Sequence, residues 1–75
     1  MTPAQSRAAR GLISMTQTEL AKASDLGQST VIDFERERRI VSDAAMAAIR
    51  AALEAAGVEF IAENGGGAGV RLKKK

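Results

Sequence analysis

Five side chains share the outer side of one short helical segment that runs from Gln28 to about Glu37: Gln28, Ser29, Ile32, Asp33 and Arg36. An amide, a hydroxyl, a carboxylate and a guanidinium donate and accept hydrogen bonds. Arg38 and Arg39 follow directly, and the arginines interleave with Glu35 and Glu37. The chemistry on offer is therefore directional hydrogen bonding and ion pairing. On composition alone such a face is a solvated helix surface, with part of the arginine charge consumed by intramolecular pairs. Ile32 stands out as an apolar residue where solvent is expected.

Bond-breaking chemistry has little to work with. The chain has neither cysteine nor histidine, which removes disulfides, thiol nucleophiles, imidazole bases and the common zinc frameworks. General acid–base work would rest on Asp or Glu alone. No carboxylate pair stands out from the helix-surface charges, and 75 residues leave little room for an enclosed pocket. An enzyme is not expected, and neither a cofactor nor a metal. Gly65–Gly67 is read as a turn and not as a phosphate-binding loop, because no helix begins after it and no Lys-Ser/Thr pair follows.

Charge is informative only when divided by segment. Residues 1–57 hold seven basic and seven acidic side chains, so the net +2 of the chain arises entirely in residues 58–75. There Arg71 and Lys73–Lys75 outweigh Glu59 and Glu63. Local clusters matter more than the total for attraction to phosphates. No apolar run approaches the roughly 20 residues that span a bilayer. Residues 1–10 lack the apolar stretch of a secretory signal, so no membrane association is expected and a cytoplasmic location is.

The elements that must position these groups are four helices and a hairpin. Thr2 and Pro3 suit the cap and first position of a helix reaching about Leu12, with Ala8, Ala9, Leu12 and Ile13 for packing. Thr16-Gln17-Thr18-Glu19 is a capping box opening a second helix to about Ser24, with Leu20 and Ala23 inward and Ala21 close to a neighbour. Asp25-Leu26-Gly27 interrupts before the Gln28 segment, where helical spacing puts Val31, Phe34 and Arg38 on one face; Val31 and Phe34 point to the core, with Leu26 packing just before them. Ser42 caps a fourth helix with an inner stripe of Ala45, Met46, Ile49, Ala52, Leu53 and Ala56, ended by Gly57. Val58–Glu63 and Val70–Lys73 then change to a β period around a glycine-rich turn from Asn64 to Gly69.

The stretch Thr16 to Glu35 carries a resemblance. Thr-Gln-x-Glu-Leu-Ala, a turn, then Gln-Ser-Thr-Val-x-x-Phe-Glu-Arg resembles the Cro/repressor, or XRE-type, family of helix-turn-helix proteins. The likeness extends over roughly residues 4–56 and is densest between Arg10 and Arg36. Two positions depart from the family pattern. Asp25 stands where the family usually has glycine, and it tolerates the left-handed conformation better than most residues. Gly27 replaces the usual serine or threonine cap of the second motif helix, at a cost of only a few tenths of a kcal/mol.

The resemblance implies a four-helix repressor-like helix-turn-helix domain over residues 1–57; with the C-terminal β-hairpin and basic tail read above from residues 58–75, the expected fold is mainly α. The resemblance also implies that Gln28, Ser29, Ile32 and Asp33 meet base edges in the major groove. Gln28 suits adenine, Asp33 suits cytosine N4 or selects against other sites, and Ile32 suits a thymine methyl. Gln17, Thr30, Arg36, Arg38 and Arg39 are expected at phosphates. Arg10 and Glu35 occupy positions that form a partly buried structural ion pair in several family members. The expected function is sequence-specific transcriptional regulation, by repression, activation or autoregulation, at an inverted-repeat DNA operator.

Two strands alone are marginal in water, so a homodimer is expected, with Phe60, Ile61, Val70 and Leu72 at its interface. Hairpin pairing and helix packing remain alternative dimer geometries. A protein partner, polymerase or an anti-regulator, is a further expectation. Lys73–Lys75 reads as a solubilising end that adds non-specific DNA affinity. The rival reading is a protein-binding module such as an antitoxin or anti-activator, since helix-turn-helix folds also serve that role. A neutral motif region, exposed Ile32 and an acidic residue on the recognition helix favour the rival; Gln17, Gln28 and the arginine cluster favour DNA.

Overall fold

A computed structural model of the chain describes residues 1–63 and 65–73. Asn64 of the expected turn and Lys74 and Lys75 of the expected basic tail lie outside the described residues. The element order is α1 (Pro3–Ile13), α2 (Gln17–Ser24), α3 (Gln28–Glu35), α4 (Asp43–Ala55), β1 (Val58–Ile61) and β2 (Gly69–Leu72). The mainly α architecture with a C-terminal hairpin is thus the one expected.

Local capping sets the starts. Thr2 and Thr16 each form a complete capping box, with Gln5 and Glu19 reaching back to the cap amides. Ser42 caps α4 through a bond from the Ala45 amide. Gly27 offers α3 no side-chain cap.

The first three helices end in the same way. Ser14, Asp25 and Glu37 all adopt positive φ, at 54°, 57° and 57°. After each, the next amide bonds back five residues: Met15 to the Arg10 carbonyl, Leu26 to Ala21 and Arg38 to Asp33. This is the Schellman pattern, and it satisfies carbonyls that the helix leaves orphaned. None of the three turn residues is glycine, so each carries a backbone cost of about 1–2 kcal/mol.

The buried faces converge on one core. Leu20, Val31, Ile49 and Leu53 are wholly shielded, and Ala9, Ala21, Phe34, Val41, Ala45 and Val58 complete the cluster. Each large aliphatic among them contributes about 1.5–3 kcal/mol through burial. Small residues correct the expected stripes. Ala8, Leu12, Ala23 and Ala56 face solvent, and the positions on α1 and α2 that turn inward instead include Gln5, Ser6 and Ser24. The third helix stops at Glu35, two residues earlier than expected, and Arg38 lies exposed and not along its inner face.

The hairpin is antiparallel, pairing Val58 with Leu72, Glu59 with Arg71, Phe60 with Val70 and Ile61 with Gly69. Directly opposed residues share a face. Val58, Phe60 and Val70 pack on the helical core, while Glu59 and Arg71 form an ion pair on the other side. Gln5 clasps the end of the hairpin by donating from Nε2 to the Ile61 and Gly69 carbonyls at 3.3 and 2.9 Å.

Candidate nucleic-acid interface

Helices α2 and α3 meet through the three-residue turn Asp25-Leu26-Gly27, and their shared inner surface is Leu20, Ala21, Val31 and Phe34. Burying that side of α3 leaves the opposite side outward. Gln28 and Ser29 are exposed at its first turn. Thr30, Ile32 and Asp33 are half-buried, and Arg36, Arg38 and Arg39 are exposed beyond its end. Ile32 is therefore less exposed than its sequence position suggests. Ile40 is the most exposed large apolar side chain among the described residues, at 97%.

Glu35 fixes the inner side of α3. Its carboxylate is 0% exposed and accepts from four side-chain donors on two other helices. Ser6 Oγ donates at 2.6 Å, Arg10 Nε and Nη2 at 2.9 and 2.7 Å, and Gln17 Nε2 at 3.0 Å. Arg10 also donates from Nη1 to the Met15 carbonyl, and Arg7 donates to the Glu35 carbonyl. Burial opposes ionisation of Glu35. The bonds from Arg10, Ser6 and Gln17, with the charge of Arg10, outweigh it and hold the carboxyl below its ordinary value. One buried anion thus ties α1 and the start of α2 to the last turn of α3.

The remaining expected site residues are engaged in several ways. Gln17 sits at the first position of α2, where its Nε2 donates to Glu35 Oε1. Gln28 Nε2 donates to Thr18 Oγ1 at 2.9 Å, which holds the Gln28 amide plane against α2. Asp33 and Thr30 are bridged by Arg39, whose Nε is 3.0 Å from Asp33 Oδ2 and whose Nη2 is 3.2 Å from Thr30 Oγ1. Arg36 and Arg38 carry no ion pair among the described residues.

At the hairpin the four expected interface residues divide. Phe60 and Val70 pack against the core, and Arg50 lies over the Phe60 ring at 5.2 Å. Ile61 is half-buried and Leu72 is exposed.

Sequence reasoning passed over several of these groups. Gln5 was legible, because Thr2-x-x-Gln5 is itself a capping-box signature. Ser6 lies one helical turn before Arg10, on the same face. Neither Thr18 as the partner of Gln28 nor the exposure of Ile40 has a local signature.

A helix-turn-helix family matches the chain over residues 7–59, from within α1 to the second residue of β1. No curated protein matches it. No helix among the described residues is long and apolar enough to cross a membrane.

Proposed function

Because the chain belongs to the Cro/repressor (XRE-type) helix-turn-helix family of DNA-binding regulators, we propose that it regulates transcription as a cytoplasmic homodimer on an inverted-repeat operator. The observation that carries this reading is the two-sided construction of α3. Its inner side is locked by Glu35, while the exposed first turn holds Gln28 braced on Thr18 beside Ser29. A braced glutamine is suited to a bidentate pair with adenine, and serine beside it is permissive. Ile32 adds an apolar contact for a thymine methyl.

Phosphates set the register. The Gln17 and Thr18 amides precede the first intrahelical bond of α2, which is made by Leu20. Such amides, with the helix dipole, suit a backbone phosphate. Thr30, Arg36, Arg38 and Arg39 extend the contact along the duplex. The hairpin joins two copies through its free strand edges and the side chains Ile61 and Leu72, with Phe60 and Val70 supporting them from the core side. That arrangement would present two α3 helices about 34 Å apart, one turn of B-DNA. Bound over a promoter the dimer excludes polymerase; bound upstream it offers polymerase a surface. Protein concentration and occupancy of its own promoter would supply the control.

The test is a titration of purified protein against duplexes selected by it from a random pool, and against scrambled duplexes, at several salt concentrations. A preference of a thousandfold or more with a steep salt slope is expected. Gln28→Ala should cost about 1–3 kcal/mol on the selected duplex and little on the scrambled one. An equal loss on both would remove Gln28 as a reader. The exposure of Ile40 favours a second reading, a protein-binding module. Weak and equal binding to all duplexes by a folded dimer would select it.

A further inference from the structure

The end of α3 is built to carry a side chain back onto the helix. Glu37 turns the chain through a left-handed conformation, with φ 57°. The Arg38 amide then bonds the Asp33 carbonyl at 2.9 Å. Arg39 comes to lie beside the helix, with Nε on Asp33 Oδ2 and Nη2 on Thr30 Oγ1. Asp33 therefore holds this loop twice, by main chain and by side chain.

We propose that Asp33 and Thr30 are positioning residues for Arg39, and that the outer edge of the Arg39 guanidinium binds a paired acceptor on DNA, either the O6 and N7 of a guanine or two oxygens of a phosphate. This rests on the DNA-binding reading above and replaces the expected role of Asp33 as a reader of cytosine. A guanidinium has five N–H donors in one plane. The edge formed by Nε and Nη2 is occupied by α3. The edge formed by Nη1 and Nη2 remains, and its two parallel donors match a bidentate acceptor.

Charge argues the same way. A lone carboxylate on the outer side of α3 repels the polyanion. Paired with Arg39 it is neutralised, and the group presented outward is cationic. The side chain of Arg39 is 52% exposed and that of Asp33 only 26%, so the guanidinium is the more accessible partner. Immobilising a long side chain before binding also removes part of the rotamer entropy that an unrestrained arginine loses on contact.

The experiment compares wild type, Asp33→Ala, Arg39→Ala and the double variant on a duplex selected by the wild type and on a scrambled duplex. Both single variants are expected to weaken binding to the selected duplex by about tenfold, and the double variant to bind no more weakly than Arg39→Ala. Replacing individual guanines with 7-deazaguanine locates the acceptor. A loss at one guanine that Arg39→Ala abolishes assigns the base edge. Insensitivity at every guanine, with a salt slope lowered by about one, assigns a phosphate. Tighter binding of Asp33→Ala to the selected duplex would make Asp33 a repulsive charge and overturn the proposal. So would an undiminished effect of Asp33→Ala in the Arg39→Ala background. A wild type that prefers no duplex refutes the DNA-binding reading itself, before any variant is compared.

Discussion

Replacing Arg10 with methionine removes the one cation that, among the described residues, is bonded to the Glu35 carboxylate, and leaves that buried group with only Ser6 Oγ and Gln17 Nε2 as side-chain donors. Breaking a buried pair from one side costs about 3–5 kcal/mol. The part of that figure due to the buried charge has a ceiling, because an unpaired buried carboxylate can take up a proton. At pH 7, protonating a group whose unfolded value is about 4.3 costs about 1.4 kcal/mol for each of 2.7 pH units, or about 3.7 kcal/mol. That part of the penalty should fall from about 3.7 kcal/mol at pH 7 to about 1 kcal/mol at pH 5, and the lost bonds from Arg10 add to it at both.

The sign of the pH dependence separates the two proteins. In the wild type, Glu35 has a folded value below its unfolded one. Its contribution is complete above about pH 5 and is lost as pH falls through the folded value. In Arg10→Met the folded value is raised, so the variant gains stability relative to pH 7 as the solution is acidified towards pH 5. Urea denaturation followed by circular dichroism at both pH values gives the comparison. A variant too unstable to fold at pH 7 should fold on acidification. A penalty below about 1 kcal/mol, or one equal at pH 7 and pH 5, would refute the argument that Glu35 depends on Arg10.

Two further substitutions probe the turn that follows α3. Glu37→Gly relieves a left-handed, non-glycine residue at φ 57° and should stabilise the fold by about 0.5–1 kcal/mol after the added chain entropy of glycine, measured by chemical denaturation; a loss of stability would mean that the Glu37 side chain outweighs its backbone strain. Ile40→Ser removes an apolar side chain that is 97% exposed. Its thermal midpoint should correspond to a change within about 0.5 kcal/mol, and a larger loss would place Ile40 in a contact within the dimer.

The fold was legible wherever its determinants are local. Thr16-x-x-Glu19 announced the start of α2, Gly57 the end of α4, and the β-branched run at Val58 the hairpin, because capping and turn conformations are set within a few residues. The inner stripes were less legible. α1 and α4 are rich in alanine, whose methyl group marks either face equally well, so periodicity turns Ala8 and Ala56 inward, whereas Gln5 and Ser6 take buried places on polar partners from the hairpin and α3. The Glu35 cluster joins residues 18 to 29 positions apart, and nothing in local sequence brings Ser6 or Gln17 to it. Only the resemblance paired Arg10 with Glu35.

The segment after Glu35 shows why the rest escaped. Continuing the α3 period to Glu37 keeps Arg38 on the helix and sends Arg39 onwards, away from Asp33. A single left-handed residue reverses this. Once Glu37 departs from the helix, Arg39 returns across Thr30 and Asp33, and a carboxylate that reads as a base contact becomes the acceptor of an arginine. The strain at Glu37 and the charge pair at Asp33 are thus parts of one arrangement, in which an unfavourable backbone conformation places a cation beside the first exposed turns of α3. Local rules fail most informatively at such a place, where conformational cost is tolerated for the position it gives a side chain. The Glu37→Gly substitution relieves that cost without removing the turn, so a gain in stability with the Asp33–Arg39 pair retained would show that the turn geometry, and not the glutamate, is what positions Arg39.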